Sequence, residues 1–148
     1  MRRSKPPAPV IGSADDVEVE FYEALQRGDI ERLMALWSDD DEISCVHPGG
    51  PRLVGAAAIR SAFDAMFAHG AIDARPEKVR RLDTHSTAVH SVLERIRMTG
   101  PEGERFAWVV ATNVYLKAAQ GWRLVAHHAS PGTASEVQDI AETASILH

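Results

Sequence analysis

The fold of this chain is decided by residues 28–67, whose sequence is GDIERLMALWSDDDEISCVHPGGPRLVGAAAIRSAFDAMF. Two amphipathic helices are predicted within this stretch, and a short strand followed by a turn rich in proline and glycine separates them. A single histidine, His47, lies between the strand and the turn. This order predicts a small cone in which helices close one side of a pocket. A curved sheet, built from residues after 70, closes the other side.

Capping residues and apolar spacing predict three helices in the first half of the chain. Ser13 is a suitable N-cap for the first helix, which Gly28 ends. Asp29 caps the second helix at once, and the third helix begins near Gly55 and ends at Gly70. Each helix has one apolar side, formed in turn by Val17, Phe21, Ala24 and Leu25, by Ile30, Leu33, Met34 and Trp37, and by Ile59, Ala62, Phe63, Met66 and Phe67.

The second half of the chain changes to the composition of β-strands. Valine, threonine, isoleucine and aromatic residues are frequent there, and turn-like breaks separate the runs. Strands that follow directly on one another pair as an antiparallel meander. The fold class is therefore α+β: three N-terminal helices packed on a strongly curved, mainly antiparallel mixed sheet that forms a cone with a pocket. The predicted strands are residues 42–46, 72–84, 87–99, 104–118 and 121–130.

Length and composition predict one globular domain. The 148 residues, 45% hydrophobic and 25% charged, are typical of a single soluble domain. Residues 1–12 are rich in proline and predict a disordered N-terminal arm, residues 13–131 form the domain, and residues 132–148 predict a tail or short helix. The net charge of −5 argues against nucleic acid as the main partner. One cysteine, Cys45, and the lack of a long apolar run predict a cytoplasmic protein outside the membrane.

The order of short motifs resembles the nuclear transport factor two-like superfamily. Gly28-Asp29, the helix end at Trp37-Ser38-Asp39-Asp40, the turn His47-Pro48-Gly49-Gly50 and the spacing of Gly55, Ile59 and Phe63 carry the resemblance, and residues 111–115 and 121–131 extend it. The most similar branches are the SnoaL-like cyclases and the ketosteroid isomerases. The chain is also similar to the association domain of calmodulin-dependent kinase, which shares the fold and only oligomerises.

The ketosteroid isomerase resemblance implies where catalytic groups would lie. That mechanism uses a carboxylate to move a proton, and a tyrosine and a protonated aspartic acid to bind the oxyanion. The tyrosine position falls on Phe21, one residue before Tyr22 and about 100° away around the helix. The position of the proton-moving carboxylate falls on His47, or on Cys45 if the alignment has no gap. The oxyanion acid falls on Asn113, so faithful isomerase chemistry is not expected.

Two residues are therefore predicted to act in catalysis. His47 is a candidate general base, and the Asn113 amide is a candidate neutral hydrogen-bond donor. His127 and His128 are adjacent on a strand, so they point to opposite faces and cannot bind one ion together. No ligand spacing for a metal is recognisable, so neither metal nor cofactor is predicted. The predicted ligand-binding residues are Tyr22, Trp37, Phe63, Phe67, Trp108 and His128.

The apolar composition of both sheet faces predicts a homodimer. By strand alternation, Val109, Ala111, Asn113 and Tyr115 share one face, and Phe106, Trp108, Val110 and Thr112 share the other. Three helices cover only one face, which leaves aromatic surface for a partner subunit.

Two functions remain open at this level. The first is a pocket protein of the SnoaL-like kind that binds a small hydrophobic, oxygenated molecule and transfers a proton. The second is a non-catalytic module for dimerisation or ligand binding.

Overall fold

Three helices and six strands make up the described part of the chain, and all of them except one short strand follow the predicted order. The computed structural model describes residues 10–133 and 139–140. The helices are α1 (Ala14–Arg27), α2 (Ile30–Ala35) and α3 (Ala56–Phe67). The strands are β1 (Ser44–Val46), β2 (Arg52–Val54), β3 (Asp73–Asp83), β4 (Thr87–Gly100), β5 (Gly103–Ala118) and β6 (Gly121–Pro131).

Local capping explains where the first two helices begin and end. The Ser13 side chain accepts a hydrogen bond from the Asp16 backbone N–H, and the Asp29 carboxylate does the same for Arg32. Gly28 has a φ of 64°, the left-handed conformation that closes a helix C-terminus. The turn between the helices is therefore only two residues long, and it fixes α2 directly against α1.

One six-stranded sheet forms the other layer, in the order β2-β1-β6-β5-β4-β3. Neighbouring strands are antiparallel except β1 and β6, which run parallel, so the sheet is mixed and mainly antiparallel. The register shifts between Pro76 and Val79 in β3, and between Val114 and Tyr115 in β5. Such irregularities increase local twist and bend a sheet around what it covers.

The core lies between the helices and the concave face of this sheet. Phe21, Leu33 and Phe63 come from the three helices and are at most 1% exposed. On β5, Ala111, Asn113 and Tyr115 are buried whereas Thr112 is exposed, as strand alternation predicts. The α+β fold with its open, curved mixed sheet is therefore confirmed. None of the helices in the described ranges has the length and apolarity that crossing a bilayer requires.

The structure adds three details to the predicted organisation of the chain. Ile11 falls in the stretch predicted as an arm, but it is buried, and its carbonyl accepts a 2.8 Å hydrogen bond from the Trp122 N–H. Packed structure thus begins before the Ser13 cap. The short strand β2 was not predicted, and it pairs with β1 at the edge of the sheet. Most of the predicted tail, 132–148, lies outside the described residues.

Candidate functional site

Four buried polar side chains form one continuous chain of hydrogen bonds across the interior of the cone. His127 Nδ1 lies 2.5 Å from Asn113 Oδ1, and Asn113 Nδ2 donates to the Tyr22 hydroxyl over 3.1 Å. The Tyr22 hydroxyl in turn donates to Glu94 Oε2 over 2.7 Å. Each of the four residues is at most 5% exposed. We call Glu94, Tyr22, Asn113 and His127 the interior network.

The sheet register brings three members of the interior network together. Asn113 on β5 is paired with His127 on β6, so both side chains leave the same face of the sheet. Glu94 lies on β4, the strand on the other side of β5, and faces the same interior. Tyr22 lies on α1, which covers this face of the sheet, and its ring packs edge-on against Phe21 at 5.1 Å. Four different elements therefore contribute one group each.

The direction of the hydrogen bonds points toward Glu94. Asn113 uses its amide N–H₂ for Tyr22, so its oxygen accepts from the Nδ1–H of His127. This assigns His127 the tautomer whose Nε2 carries a lone pair. Burial lowers the pKa of His127 to about 3, helped by the neighbouring His47 and His128, so the ring is neutral near pH 7.

Burial makes Glu94 the titratable group of the interior network. It raises the pKa of the carboxyl to about 7, although the hydrogen bond from Tyr22 acts in the opposite direction. Burial and the nearby Glu94 charge both raise the pKa of Tyr22 well above its usual value, so the phenol keeps its proton. A carboxyl with a pKa near 7 is suited to give and take protons at neutral pH.

His47 lies beside one end of the interior network. Its ring is 6.3 Å from that of His127 and packs edge-on against Phe63 at 4.8 Å. Its Nε2 lies 3.7 Å from the Sγ of Cys45, and burial lowers its pKa below the ordinary value. Burial also raises the pKa of Cys45 to about 12, which keeps the thiol protonated.

The predicted site residues fall into two groups. His47, Asn113, Tyr22 and Phe63 converge in the interior, and Phe67 joins them with its ring 6.1 Å from Phe63. Trp37 is also buried in this core, and its Nε1 has no hydrogen-bond partner among the described residues.

Trp108 and His128 lie on the other side of the sheet. Trp108 is an even number of residues from Thr112, which is paired with His128, and both Thr112 and His128 are exposed. Strand alternation therefore separates these two side chains from the interior, and His127 is the member of the histidine pair that faces it.

Two expectations from the ketosteroid isomerase resemblance can be compared with the structure. The resemblance places the tyrosine position on Phe21, about 100° from Tyr22 around the helix, yet the hydroxyl of Tyr22, itself a predicted ligand-binding residue, lies in the interior network. The inward face of α1 is broad enough to bury Glu18, Phe21, Tyr22 and Leu25 together, which explains the difference. The resemblance places the proton-moving carboxylate at His47 or Cys45, where this chain has no acid. Strand β4 supplies a carboxyl group, Glu94, from a different position.

Two cavities and one group of possible ion ligands among the described residues lie outside the interior network. A cavity of about 310 Å³ is lined by α1 and the segment before it, and one of about 180 Å³ lies around Arg97 and Phe106 on the outer sheet face. Neither includes a member of the interior network. Asp15, Glu18 and His90 form a separate cluster with the spacing of metal ligands.

Comparison with known proteins identifies the family. A family model described as a SnoaL-like domain matches residues 15–134. A structure from Thiobacillus denitrificans ATCC 25259, provisionally described as a calcium/calmodulin-dependent protein kinase type II association domain, is 34% identical over 84% of this chain and 99% of that chain, with a TM-score of 0.76. A candidate dehydratase of the NTF2-like family from Streptomyces avermitilis is also 34% identical, over 80% of this chain and 93% of that chain, with a TM-score of 0.72.

More distant structures agree on the fold alone. An uncharacterised protein with a cystatin-like fold from Caulobacter vibrioides is 15% identical over 81% of this chain and 87% of that chain, with a TM-score of 0.69. The comparison with curated proteins finds no match. Since the family model covers most of the chain and two similar structures are each 34% identical over at least 80% of it, the chain belongs to the SnoaL-like family of the nuclear transport factor two-like superfamily.

Proposed function

We propose that the interior of the cone binds a small, neutral, oxygenated molecule, and that Glu94 exchanges a proton with it. The observation that carries this proposal is the interior network, in which a buried carboxyl is held by the Tyr22 hydroxyl. Burying a carboxyl is costly unless it is paired or kept protonated. A core that serves only to hold helices to a sheet has no need of such a group.

The chemistry of the interior network indicates the class of ligand. Its groups are one carboxyl, one phenol, one amide and one imidazole, and His47 adds a second imidazole beside them. None carries a fixed positive charge, so an anionic ligand would lack a counter-ion. A carbonyl or hydroxyl group fits these partners, and the aromatic rings of Phe63 and Phe67 suit an apolar body.

The groups not used within the network define the roles in the reaction. Among the described residues, the second carboxyl oxygen of Glu94 and the Nε2 of His127 take no part in the hydrogen bonds of the interior network. Glu94 therefore acts as the acid or base, and the Tyr22 hydroxyl, which Asn113 holds in place, polarises it. His47 is the second candidate base, at the edge where it is only half-buried.

A binding screen tests the ligand part of this proposal. Neutral cyclic ketones and alcohols should raise the melting temperature, whereas the matching carboxylic acids should not, because a ligand that binds only the native state stabilises it. Glu94→Gln keeps the size of the side chain and removes the titration. The matched control is Glu104→Gln, which changes an exposed glutamate on the outer strand face.

Proton exchange tests the catalytic part. In D₂O, the wild-type chain should exchange the protons α to the carbonyl of a bound ketone, as followed by NMR. Glu94→Gln should lower the exchange rate by about 100-fold, the usual contribution of a general acid or base. Glu104→Gln should leave it unchanged. Equal exchange in wild type and Glu94→Gln would remove Glu94 from the mechanism.

We propose assembly into a homodimer as a second, compatible function. Its support is the outer sheet face, where Phe106 is 48% and Leu116 42% exposed. The guanidinium of Arg95 lies 4.8 Å above the Phe106 ring, and aromatic and arginine side chains are enriched at protein interfaces. The similar structure from Thiobacillus denitrificans is itself described as an association domain. This surface is a candidate for the contact with a second copy.

A further inference from the structure

A second group of buried polar side chains lies beneath the first half of α1. Glu18 contacts His90 Nδ1, and the two residues are 5% and 1% exposed. His90 Nε2 faces Asp15 Oδ1 at 3.7 Å and Asp83 Oδ1 at 3.9 Å, and the side chains of both aspartates are about 60% exposed. Arg81 donates to Asp15 over 2.8 Å. We call Glu18 and His90 the outer pair, because one end of it faces groups that are in contact with solvent.

The sheet register places the outer pair next to the interior network. His90 on β4 is paired with Asn113 on β5, which is paired with His127 on β6, so the three side chains form a row across the concave face. Glu18 and Tyr22 lie one turn apart on the same side of α1, above this row. The first contacts His90 and the second contacts the Asn113 amide. The two buried polar groups are therefore neighbours along both the helix and the sheet.

One hydroxyl lies between the two groups and has no hydrogen-bond partner among the described residues. It belongs to Tyr115, which is fully buried two residues after Asn113, with its ring 4.9 Å from the ring of His90. Burial raises the pKa of Tyr115 well above its usual value, and the charges of Glu18 and Glu94 add to the increase. The Asn113 amide acts on this pKa in the opposite direction, although no hydrogen bond joins the two side chains. The hydroxyl is therefore close to a carboxyl of each group.

The acid–base role of Glu94 requires a route for its proton. The residue is only 5% exposed, so its carboxyl has little direct contact with solvent. Tyr22 cannot pass the proton to its other neighbour, because the Asn113 N–H₂ donates to the Tyr22 oxygen and an amide N–H₂ only donates. A hydroxyl accepts one proton and donates another. Tyr115 has this capacity, and no other interaction occupies its hydroxyl.

We propose that Tyr115 and the outer pair carry protons between Glu94 and solvent, an inference that rests on the proposed acid–base role of Glu94. Outward, Glu94 gives its proton to the Tyr115 oxygen while the hydroxyl releases its own proton to Glu18. Glu18 passes this proton to His90 Nδ1, and Nε2 releases the proton it carries to solvent beside Asp83. Inward, each transfer runs in reverse, so one outward and one inward passage restore the tautomer of His90. Each transfer is direct or crosses one water.

NMR of Glu94 in the chain without ligand tests this route. With ¹³C-labelled glutamate carboxyls, assigned through Glu94→Gln, the wild type near the Glu94 pKa of about 7 should give one averaged resonance, because its two protonation states interchange rapidly. In Tyr115→Phe the interchange should slow until two resonances separate. The midpoint should not move, since burial and Tyr22 set this pKa. A merely loosened interior would instead admit water and speed the interchange. His90→Gln should also separate the two resonances.

The matched control is His128→Gln, which removes an exposed histidine from the outer sheet face and should keep the averaged resonance. An averaged resonance in Tyr115→Phe or in His90→Gln would overturn the route and leave the acid–base role of Glu94 intact. Two separate resonances already present in the wild type would also overturn the route. A wild-type Glu94 that does not titrate between pH 6 and 8 would overturn both the route and the acid–base role.

Discussion

Tyr22 and Tyr115 have hydroxyl groups in opposite situations. Both residues are at most 2% exposed. The Tyr22 hydroxyl donates to Glu94 and accepts from Asn113, whereas that of Tyr115 has no hydrogen-bond partner among the described residues. Tyr22→Phe should destabilise the fold by about 1–3 kcal/mol, because it leaves two buried partners unsatisfied. Tyr115→Phe should change stability by less than about 0.5 kcal/mol or increase it. Urea unfolding at one pH compares them, and equal losses would contradict the interior network.

Glu94 predicts a pH dependence of stability that one substitution removes. Its folded pKa of about 7 exceeds the unfolded value of 4.5, so the native state binds the extra proton. Its contribution is complete below about pH 4.5 and is lost as the pH rises through 7, a change on the order of 3 kcal/mol. The unfolding free energy of Glu94→Gln relative to wild type should therefore increase across this window and level off above it.

Wild type and Glu94→Gln must be compared at each pH because the titration of His127 changes the unfolding free energy in the opposite direction. Its lowered folded pKa means that the unfolded state binds more protons below about pH 6.5, so its contribution decreases as the pH falls. This term is common to wild type and Glu94→Gln and cancels in their difference. A difference that stays constant between pH 4.5 and 8 would show that Glu94 titrates normally in the folded chain.

The sequence predicts some of the interior residues and misses others for physical reasons. Asn113 and the inward half of β5 follow from strand alternation, which the register confirms. The buried position of Glu94 does not follow from strand alternation, because three consecutive residues of β4, Val92, Leu93 and Glu94, are all buried. A glutamate followed by Arg95 also resembles a surface ion pair, but Arg95 pairs with Glu77 across the sheet. Contacts that join four elements are not visible in any local pattern.

At the scale of elements, the sequence predicts the helices and strands whose limits depend on neighbouring residues. Caps end α1 and begin α2 at the expected residues, and the four long strands begin and end within a few residues of their predicted limits. Strand β2 has only three residues, between Pro51 and Gly55, and exists because β1 pairs with it. The parallel pairing of β1 with β6 joins distant parts of the chain, so only the tertiary fold determines it.

Two glycines should differ in how much a methyl group costs. Gly28 has a φ of 64°, but a Cβ there would make an ordinary 3.5 Å contact with Ala71. Gly28→Ala should therefore cost about 1 kcal/mol, the conformational penalty alone. Gly121 has a φ of 105°, and its Cβ would lie 2.7 Å from the backbone N and O of Ile11. Gly121→Ala should cost more, because it also displaces the Ile11 segment.

Chemical denaturation measures the loss of stability in Gly28→Ala and Gly121→Ala relative to a control variant. Gly100→Ala is the matched control, since a Cβ there meets no atom within 4 Å. In Gly121→Ala, hydrogen exchange of the Trp122 amide should also accelerate, because that N–H donates to the Ile11 carbonyl. Equal stability of Gly121→Ala and Gly28→Ala would show that the Ile11 segment contributes little to the fold.

At the scale of the whole molecule, the sheet has one covered and one open face. The helices cover the concave face, and the interior network lies beneath them. On the outer face, Phe106 and Leu116 are about half-exposed, and Trp108, Val110 and Val114 are half-buried. Exposed apolar surface of this kind usually marks a contact with another molecule. The proposed ligand binding and the proposed assembly therefore involve opposite faces of the sheet.

Charge on the outer face should separate the subunits without changing the interior. We expect a homodimer by light scattering at micromolar concentration, and Phe106→Glu should raise its dissociation constant at least about tenfold, since it places a carboxylate in an apolar contact. Val19→Glu is the matched control, because Val19 is 56% exposed on α1, away from the sheet. A monomeric wild type, or dissociation by Val19→Glu instead, would contradict assembly through this face. Ketone binding that persists in monomeric Phe106→Glu would show that each cone works alone, because every member of the interior network belongs to one chain.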